Sequence, residues 1–267
     1  IFVTSTIPEP MNNTYTDHGS GDTLVFLHGF CESKLVWAEF TKPLQQKFRI
    51  IALDLPGFGG NTENISSYSM ESMADYVKHT LEELNVRRCI LVGHSMGGYV
   101  SMAFAKKYGS MLQGLCLFHS SALPDTDEKK ENRSKSIDYV ERHGVINFIN
   151  PFVEPLFYKE NRDWLGQEIE MMKEIGRATP LESVIGAMAA MRDRPDRTDV
   201  LRKATFPVLF IFGKDDGAVP LEKALEQCHL PGNSMVYFLE KTGHMGMFER
   251  TYETRKAIEK FAETIFG

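Results

Sequence analysis

Short runs of apolar residues, each bounded by turn-forming residues and separated from the next by a stretch of helical period, constrain this chain more than any other feature. They fall at 24–27, 50–53, 89–92, 115–118, 208–212 and 235–239. An unbroken apolar run suits a strand covered on both faces, and such strands belong to parallel sheets with helices above and below. Between the runs, 37–46 carries Trp37, Phe40 and Leu44 at spacings of three and four. In 70–84, Met73, Val77, Leu81 and Leu84 make one stripe, with Ser69 placed to cap it. Further helices are predicted at 99–108, at 221–227 after Pro220, and at 252–266, where Ile258, Phe261 and Ile265 share a face. This alternation predicts an α/β fold built on a mainly parallel, doubly wound sheet.

Residues 122–204 break the alternation. A polar and charged stretch, 124–133, precedes Ile137, Val140, Val145, Phe148, Ile149, Phe152, Leu156 and Phe157 at mostly helical spacing. A second helical stretch, 164–175, carries Met171 and Met172, and after Pro180 a third, 181–192, aligns Val184, Ile185, Met188 and Met191. A helical insertion this long between sheet strands predicts a cap over the sheet edge. The expected division is a core of 1–121 and 205–267 and a cap of 122–204. Most of the cap's Met and Phe residues are expected to pack on the sheet, and a minority to line an apolar pocket.

Composition narrows the partners. A net charge of -6 implies neither nucleic acid nor an anionic membrane. No run approaches membrane-spanning length, and 1–6 lacks the basic start and apolar centre of a signal peptide, while Met11 is a candidate native start. Cys31, Cys89, Cys116 and Cys228 form neither a C-x-x-C pair nor a Cys/His ligand spacing, so no disulfide framework and no metal is expected. A cytoplasmic setting follows from that cysteine usage. Oligomeric state has no signature here.

The chemistry concentrates at strand ends. Gly93-His94-Ser95-Met96-Gly97 follows one apolar run directly and leads into a helix, so Ser95 sits on a sharp turn beside the positive end of that helix. A serine hydroxyl needs a base within reach, and the base needs a carboxylate. Two loops after later strands supply them: Gly213-Lys214-Asp215-Asp216, and Thr242-Gly243-His244. The loop His28-Gly29-Phe30-Cys31 follows the first run and offers the N–H of Phe30 to a developing oxyanion, with the N–H of Met96 as the second donor.

These residues resemble an α/β-hydrolase of the cap-bearing esterase or lactonase type, from about Leu24 to the C-terminus. The motifs that carry the resemblance are His28-Gly29, Asp54-Leu55-Pro56-Gly57-Phe58-Gly59, Gly93 to Gly97, Gly213-x-x-Asp216 with Val219-Pro220, and Gly243-His244. The family's register selects Asp216 over the adjacent Asp215, which becomes a solvated neighbour. The resemblance implies hydrolysis of a small-molecule carboxylic ester or lactone through an acyl-enzyme on Ser95, with His244 as base, Asp216 as its orienter and no cofactor. Enol-lactone hydrolysis, carbon–carbon bond hydrolysis, acyl transfer and perhydrolysis use the same triad and stay open, as does a ligand-binding protein with little turnover.

Other residues carry weaker readings. His28 is expected to brace the oxyanion loop, and His94 to bond locally. Cys31 reads as a buried or pocket-lining thiol, and Glu249 as a helix cap or first-turn charge. Glu32 and Ser33 stand open between substrate contact and solvent. His79, His119, His143 and His229 belong to no constellation.

Overall fold

The computed structural model describes residues 14–63 and 67–267, so the N-terminal stretch and Met11 read above lie outside the described residues. Each predicted apolar run is a strand: β2 (Thr23–Leu27), β3 (Arg49–Leu53), β4 (Cys89–His94), β5 (Leu112–Phe118), β6 (Val208–Gly213) and β7 (Ser234–Leu239). One strand precedes them, β1 (Tyr15–His18), whose sequence YTDH has no apolar run to betray it. The seven-stranded sheet has the order β1-β3-β2-β4-β5-β6-β7, with β1 antiparallel to β3 and every other pairing parallel. The residues of β2, β4 and β6 are all buried, as strands covered on both faces must be.

The chain runs from β2 to β3 on one side, then crosses back to β4 on the other. Loops leaving the ends of β2 and β4 therefore diverge, and the crevice at such a switch point is where open α/β sheets bind ligands. The helix Met70–Glu83 begins at Ser69, whose side chain accepts from the Ser72 N–H while Ser72 returns the bond. Helices Met96–Tyr108 and Thr251–Phe266 also match the predicted periodicity. The segment predicted as one helix at 37–46 is instead three short turns of helix, interrupted before Leu44 by Pro43.

Between β5 and β6 the chain forms helices Asp127–His143, Val145–Val153, Gly166–Arg177, Leu181–Asp193 and Thr198–Arg202. The first of these departs from expectation, because it starts inside the polar stretch 124–133. Thr126 caps it by accepting from the Lys129 N–H, Asp127 and Glu128 complement its positive end, and Val140 is its one buried residue. Gly144 (φ +80°) separates it from the second helix. Trp164 lies outside the helix read there and is exposed.

Two glycines let the helix Met96–Tyr108 descend onto the sheet. A Cβ at Gly93 would lie 2.4 Å from the Gly97 carbonyl oxygen and from Ser101 Oγ. A Cβ at Gly97 would lie 2.6 Å from the His28 carbonyl oxygen and 2.7 Å from that of Leu27. These neighbours are backbone atoms of β2 and its exit, which cannot yield without moving the strand. We expect Gly97→Ala to destabilise the fold by about 1–3 kcal/mol in urea unfolding. Gly166→Ala, whose Cβ meets nothing within 4 Å, should be neutral or stabilising by up to about 1 kcal/mol.

Candidate active site

Ser95 occupies the single position between β4 and the helix Met96–Tyr108, with φ +50° and ψ −115°. The left-handed region is uncommon for a residue with a side chain, and strain of this kind persists where neighbours enforce it. Here the Ser95 N–H donates to the Phe118 carbonyl at 3.0 Å, and its carbonyl accepts from Ser120 Oγ at 2.7 Å. The side chain lines a cavity of about 180 Å³ together with His244 and Phe30. Among the described residues the hydroxyl makes no hydrogen bond. Apo serine–histidine pairs often tighten only with substrate bound.

The predicted acid and histidine do meet. Asp216 Oδ2 lies 2.8 Å from His244 Nδ1, and Oδ1 accepts the N–H groups of Ala218 (2.8 Å) and Val219 (2.9 Å). Asp215 is exposed on the same loop, as the motif register implied. Burial alone would raise the Asp216 pKa, but the two histidines against it hold the carboxyl far below its ordinary range. Burial pulls the His244 pKa down, and the Asp216 carboxylate more than offsets this, leaving it above the ordinary imidazole value. With Nδ1 donating to Asp216, the other ring nitrogen of His244 is left for the cavity.

One member of this cluster was missed by sequence reasoning. His119, given no constellation above, places Nδ1 3.0 Å from the same Asp216 Oδ2. It is fully buried and its pKa is lowered to about 4, chiefly by burial, so it is a neutral donor. Its Nε2 has no hydrogen-bond partner among the described residues. The available signal was position: His119 follows the end of β5 just as Ser95 follows β4, and its φ is +48°. His119, Asp216 and His244 also have the spacing of a metal-ligand set, with ligand atoms within 4.8 Å of one another. Both imidazoles, however, turn Nδ1 onto one carboxylate oxygen, bonds that a cation would have to break.

Two buried acids brace the histidine from outside. Glu32, read as open to solvent or substrate, is 2 % exposed. It accepts the Gly29 N–H at 2.7 Å and faces His94 Nδ1 at 3.0 Å, while His94 Nε2 lies 3.0 Å from the His244 carbonyl oxygen. Burial would raise the Glu32 pKa, yet His94 and the Gly29 N–H bring it below the usual value. Ser33, also open in the sequence, is buried and accepts the Leu35 N–H. Glu249 is more than a helix charge: its carboxylate accepts N–H groups from Gly243 (3.0 Å), Met245 (3.2 Å) and Tyr158 (2.8 Å), and the Asn161 amide (2.8 Å). The His244 N–H itself donates to the Leu156 carbonyl at 2.7 Å. The histidine loop is thus pinned to the helical insertion.

Phe30 lines the cavity, Met96 opens the helix, and neither N–H has an acceptor among the described residues. His28 braces the Phe30 loop: its Nδ1 donates to the Gly29 carbonyl (2.7 Å) and its Nε2 accepts the Leu55 N–H (3.0 Å). Burial lowers its pKa, in keeping with a neutral ring. Cys31 is buried and its thiol is pushed well up by burial, so it is unreactive. Phe148, Phe152, Leu156, Met188 and Met191 from the insertion make the apolar wall. A separate hollow of about 290 Å³ beside Lys106, Asp199 and Phe206 contains none of the residues singled out above.

Residues 22–118 and 104–251 match the family described as alpha/beta hydrolase fold. The uncharacterized hydrolase YugF of Bacillus subtilis is 31% identical over 265 residues, covering 89% of this chain and 90% of the relative. A 2-hydroxy-6-oxo-6-(2'-aminophenyl)hexa-2,4-dienoic acid hydrolase of Metapseudomonas resinovorans is 24% identical, over 92% of this chain and 86% of its own length. A thermophilic esterase from Thermogutta terrifontis superposes with a TM-score of 0.90 at 30% identity, covering 95% of this chain and 93% of the esterase. With strand order, strand-end loops and family match in agreement, the chain belongs to the alpha/beta hydrolase fold family.

Proposed function

We propose that this chain is a serine hydrolase that cleaves a carboxylic ester or lactone through an acyl-enzyme on Ser95. The observation that carries the reading is the 2.8 Å contact between His244 Nδ1 and Asp216, with His244 and Ser95 on one cavity wall. Hydrolase activity is what the family match and the relatives support; the ester bond and the residue roles are the reading offered here.

In this mechanism the free ring nitrogen of His244 takes the Ser95 hydroxyl proton as Oγ attacks the substrate carbonyl carbon. The N–H groups of Phe30 and Met96 receive the oxyanion. Collapse breaks the bond to the alcohol oxygen, which leaves with the proton from His244. A water then gives a proton to His244, attacks the acyl carbon and releases the acid, returning the proton to Ser95. Asp216 stays ionised throughout and stabilises the imidazolium. His119 and Glu249 act as positioning residues, the first by sharing the load on Asp216, the second by fixing the backbone on either side of His244.

A short-chain chromogenic ester tests this directly. Ser95→Ala and His244→Ala should each lower kcat by roughly 10⁴-fold or more, and the double variant should be no worse than the more damaged single one. Turnover that survives Ser95→Ala removes the acyl-enzyme. Tight ligand binding without turnover on a broad ester and lactone panel selects the binding protein instead.

The pH profile follows from the raised His244 pKa. A base must be neutral, so kcat/KM should climb as pH rises through that pKa, with its midpoint above 6.5. His119→Phe removes one of the donors on Asp216 Oδ2 and leaves a more basic carboxylate against His244. That variant should shift the acid limb to higher pH, measured with initial rates across a buffer series.

Glu249→Ala leaves its buried N–H donors unpaired. It should cost at least about 2 kcal/mol in thermal or urea unfolding and lower kcat more than it raises KM.

A further inference from the structure

One cation in the cavity has hydrogen-bonding capacity that the fold does not use. The helix Asp127–His143 carries Arg133 and Ser136 to the cavity wall that Ser95, Tyr99 and His244 also line. Arg133 Nε donates to Asp125 Oδ2 at 2.5 Å, and Asp125 Oδ1 accepts from Arg194 at 2.7 Å. Burial would raise the Asp125 pKa, but Arg133 and Arg194 hold it below the usual range, so it remains a carboxylate. A single negative charge therefore serves two guanidinium groups.

The two arginines differ in what remains to them. Arg194 is sealed, its side chain 6% exposed. Its terminal nitrogens are spent on Asp125 and on the carbonyls of Met191 and Leu123, and its guanidinium lies 3.9 Å from the centre of the Tyr99 ring. Arg133 is 23% exposed, and its two terminal nitrogens have no acceptor among the described residues. Glu32, which lines the cavity, is committed to Gly29 and His94, and Asp216 to its own donors. No carboxylate among the described residues lining the cavity is left to pair with the terminal nitrogens of Arg133, and Asp125 anchors that guanidinium at Nε.

From this geometry we infer that Arg133 is a specificity-determining residue, and that the substrate is an ester bearing a carboxylate a few bonds from the scissile carbonyl. A guanidinium with two parallel free N–H groups matches a carboxylate bidentately. Arg133 and Ser95 line the same cavity of about 180 Å³, so a short chain suffices to join the anion to the scissile carbonyl. Ser136 lines the same cavity. The inference rests on the serine-hydrolase reading above and adds the charge of the substrate to it.

Matched ester pairs test it in the intact protein. Mono-(4-nitrophenyl) glutarate against 4-nitrophenyl pentanoate places the carboxylate on the acyl side. 3-(Butanoyloxy)benzoate against phenyl butanoate, followed by pH-stat, places it on the alcohol side. Wild type should prefer the anionic member of at least one pair by about tenfold to a hundredfold in kcat/KM, and the favoured pair says which side Arg133 reads. In Arg133→Met that ratio should collapse towards one, while Arg133→Lys recovers part of it. A wild-type ratio at or below one in both pairs overturns the inference without any variant, even if Arg133→Met fails to fold. So does a preference that persists unchanged in a folded Arg133→Met. Serine-dependent turnover of the neutral esters with no preference for the anionic ones defeats the inference alone. If no ester is turned over and a fluorophosphonate fails to label Ser95, the underlying hydrolase reading fails and takes the inference with it.

Discussion

The buried carboxylate of Asp216 is the interaction on which the candidate site depends. An ionised carboxylate buried this deeply is costly unless hydrogen bonds replace its water. It meets that cost by drawing donors from the exits of different strands: Ala218 and Val219 from its own loop after β6, His119 from the end of β5, and His244 from the loop after β7. Each bond stabilises the charge, and together they fix where three loops lie relative to one another. The proposed base is oriented by the group that keeps neighbouring strand ends in register.

A second constraint comes from above the sheet. Leu156, Tyr158 and Asn161 belong to the helical insertion, yet they bond His244 and Glu249. On the other flank Glu32 and His94 reach the His244 carbonyl. The imidazole is therefore held through its ring by Asp216, and its backbone is held by the insertion and by His94 of β4, itself braced by Glu32. The insertion also supplies the apolar wall and Arg133.

Much of this was legible in the sequence, for identifiable reasons. Strands β2 to β6 show themselves as apolar runs because they are covered on both faces, and the edge strand β7 is apolar though only half-buried. Strand β1 shows no such run: it is an edge strand, short and polar, held in part by an ion pair between Asp17 and Arg49. The helix Asp127–His143 is hidden for the opposite reason, being so exposed that only Val140 reports a buried side. Ser95, Asp216 and His244 are read from strand-end position and motif register, and the structure brings Asp216 and His244 into contact. His119, Glu32 and Glu249 were not found. Their side-chain partners, Asp216, His94 and Asn161, are distant in sequence, and a buried polar side chain bonded across loops leaves no periodic trace.

The bonds between the insertion and the histidine loop bear on how members of this fold exchange their upper halves. A recombinant that kept this sheet but took its helices from a relative would lose the carbonyl at 156 and the amide at 161 unless the donor sequence supplied equivalents. The imidazole would then inherit whatever backbone the foreign segment imposed. Residues 156–161 thus belong, in their behaviour, to the sheet rather than to the helices around them. A crossover placed after them, or one ending before them, leaves the histidine undisturbed while the walls of the cavity change.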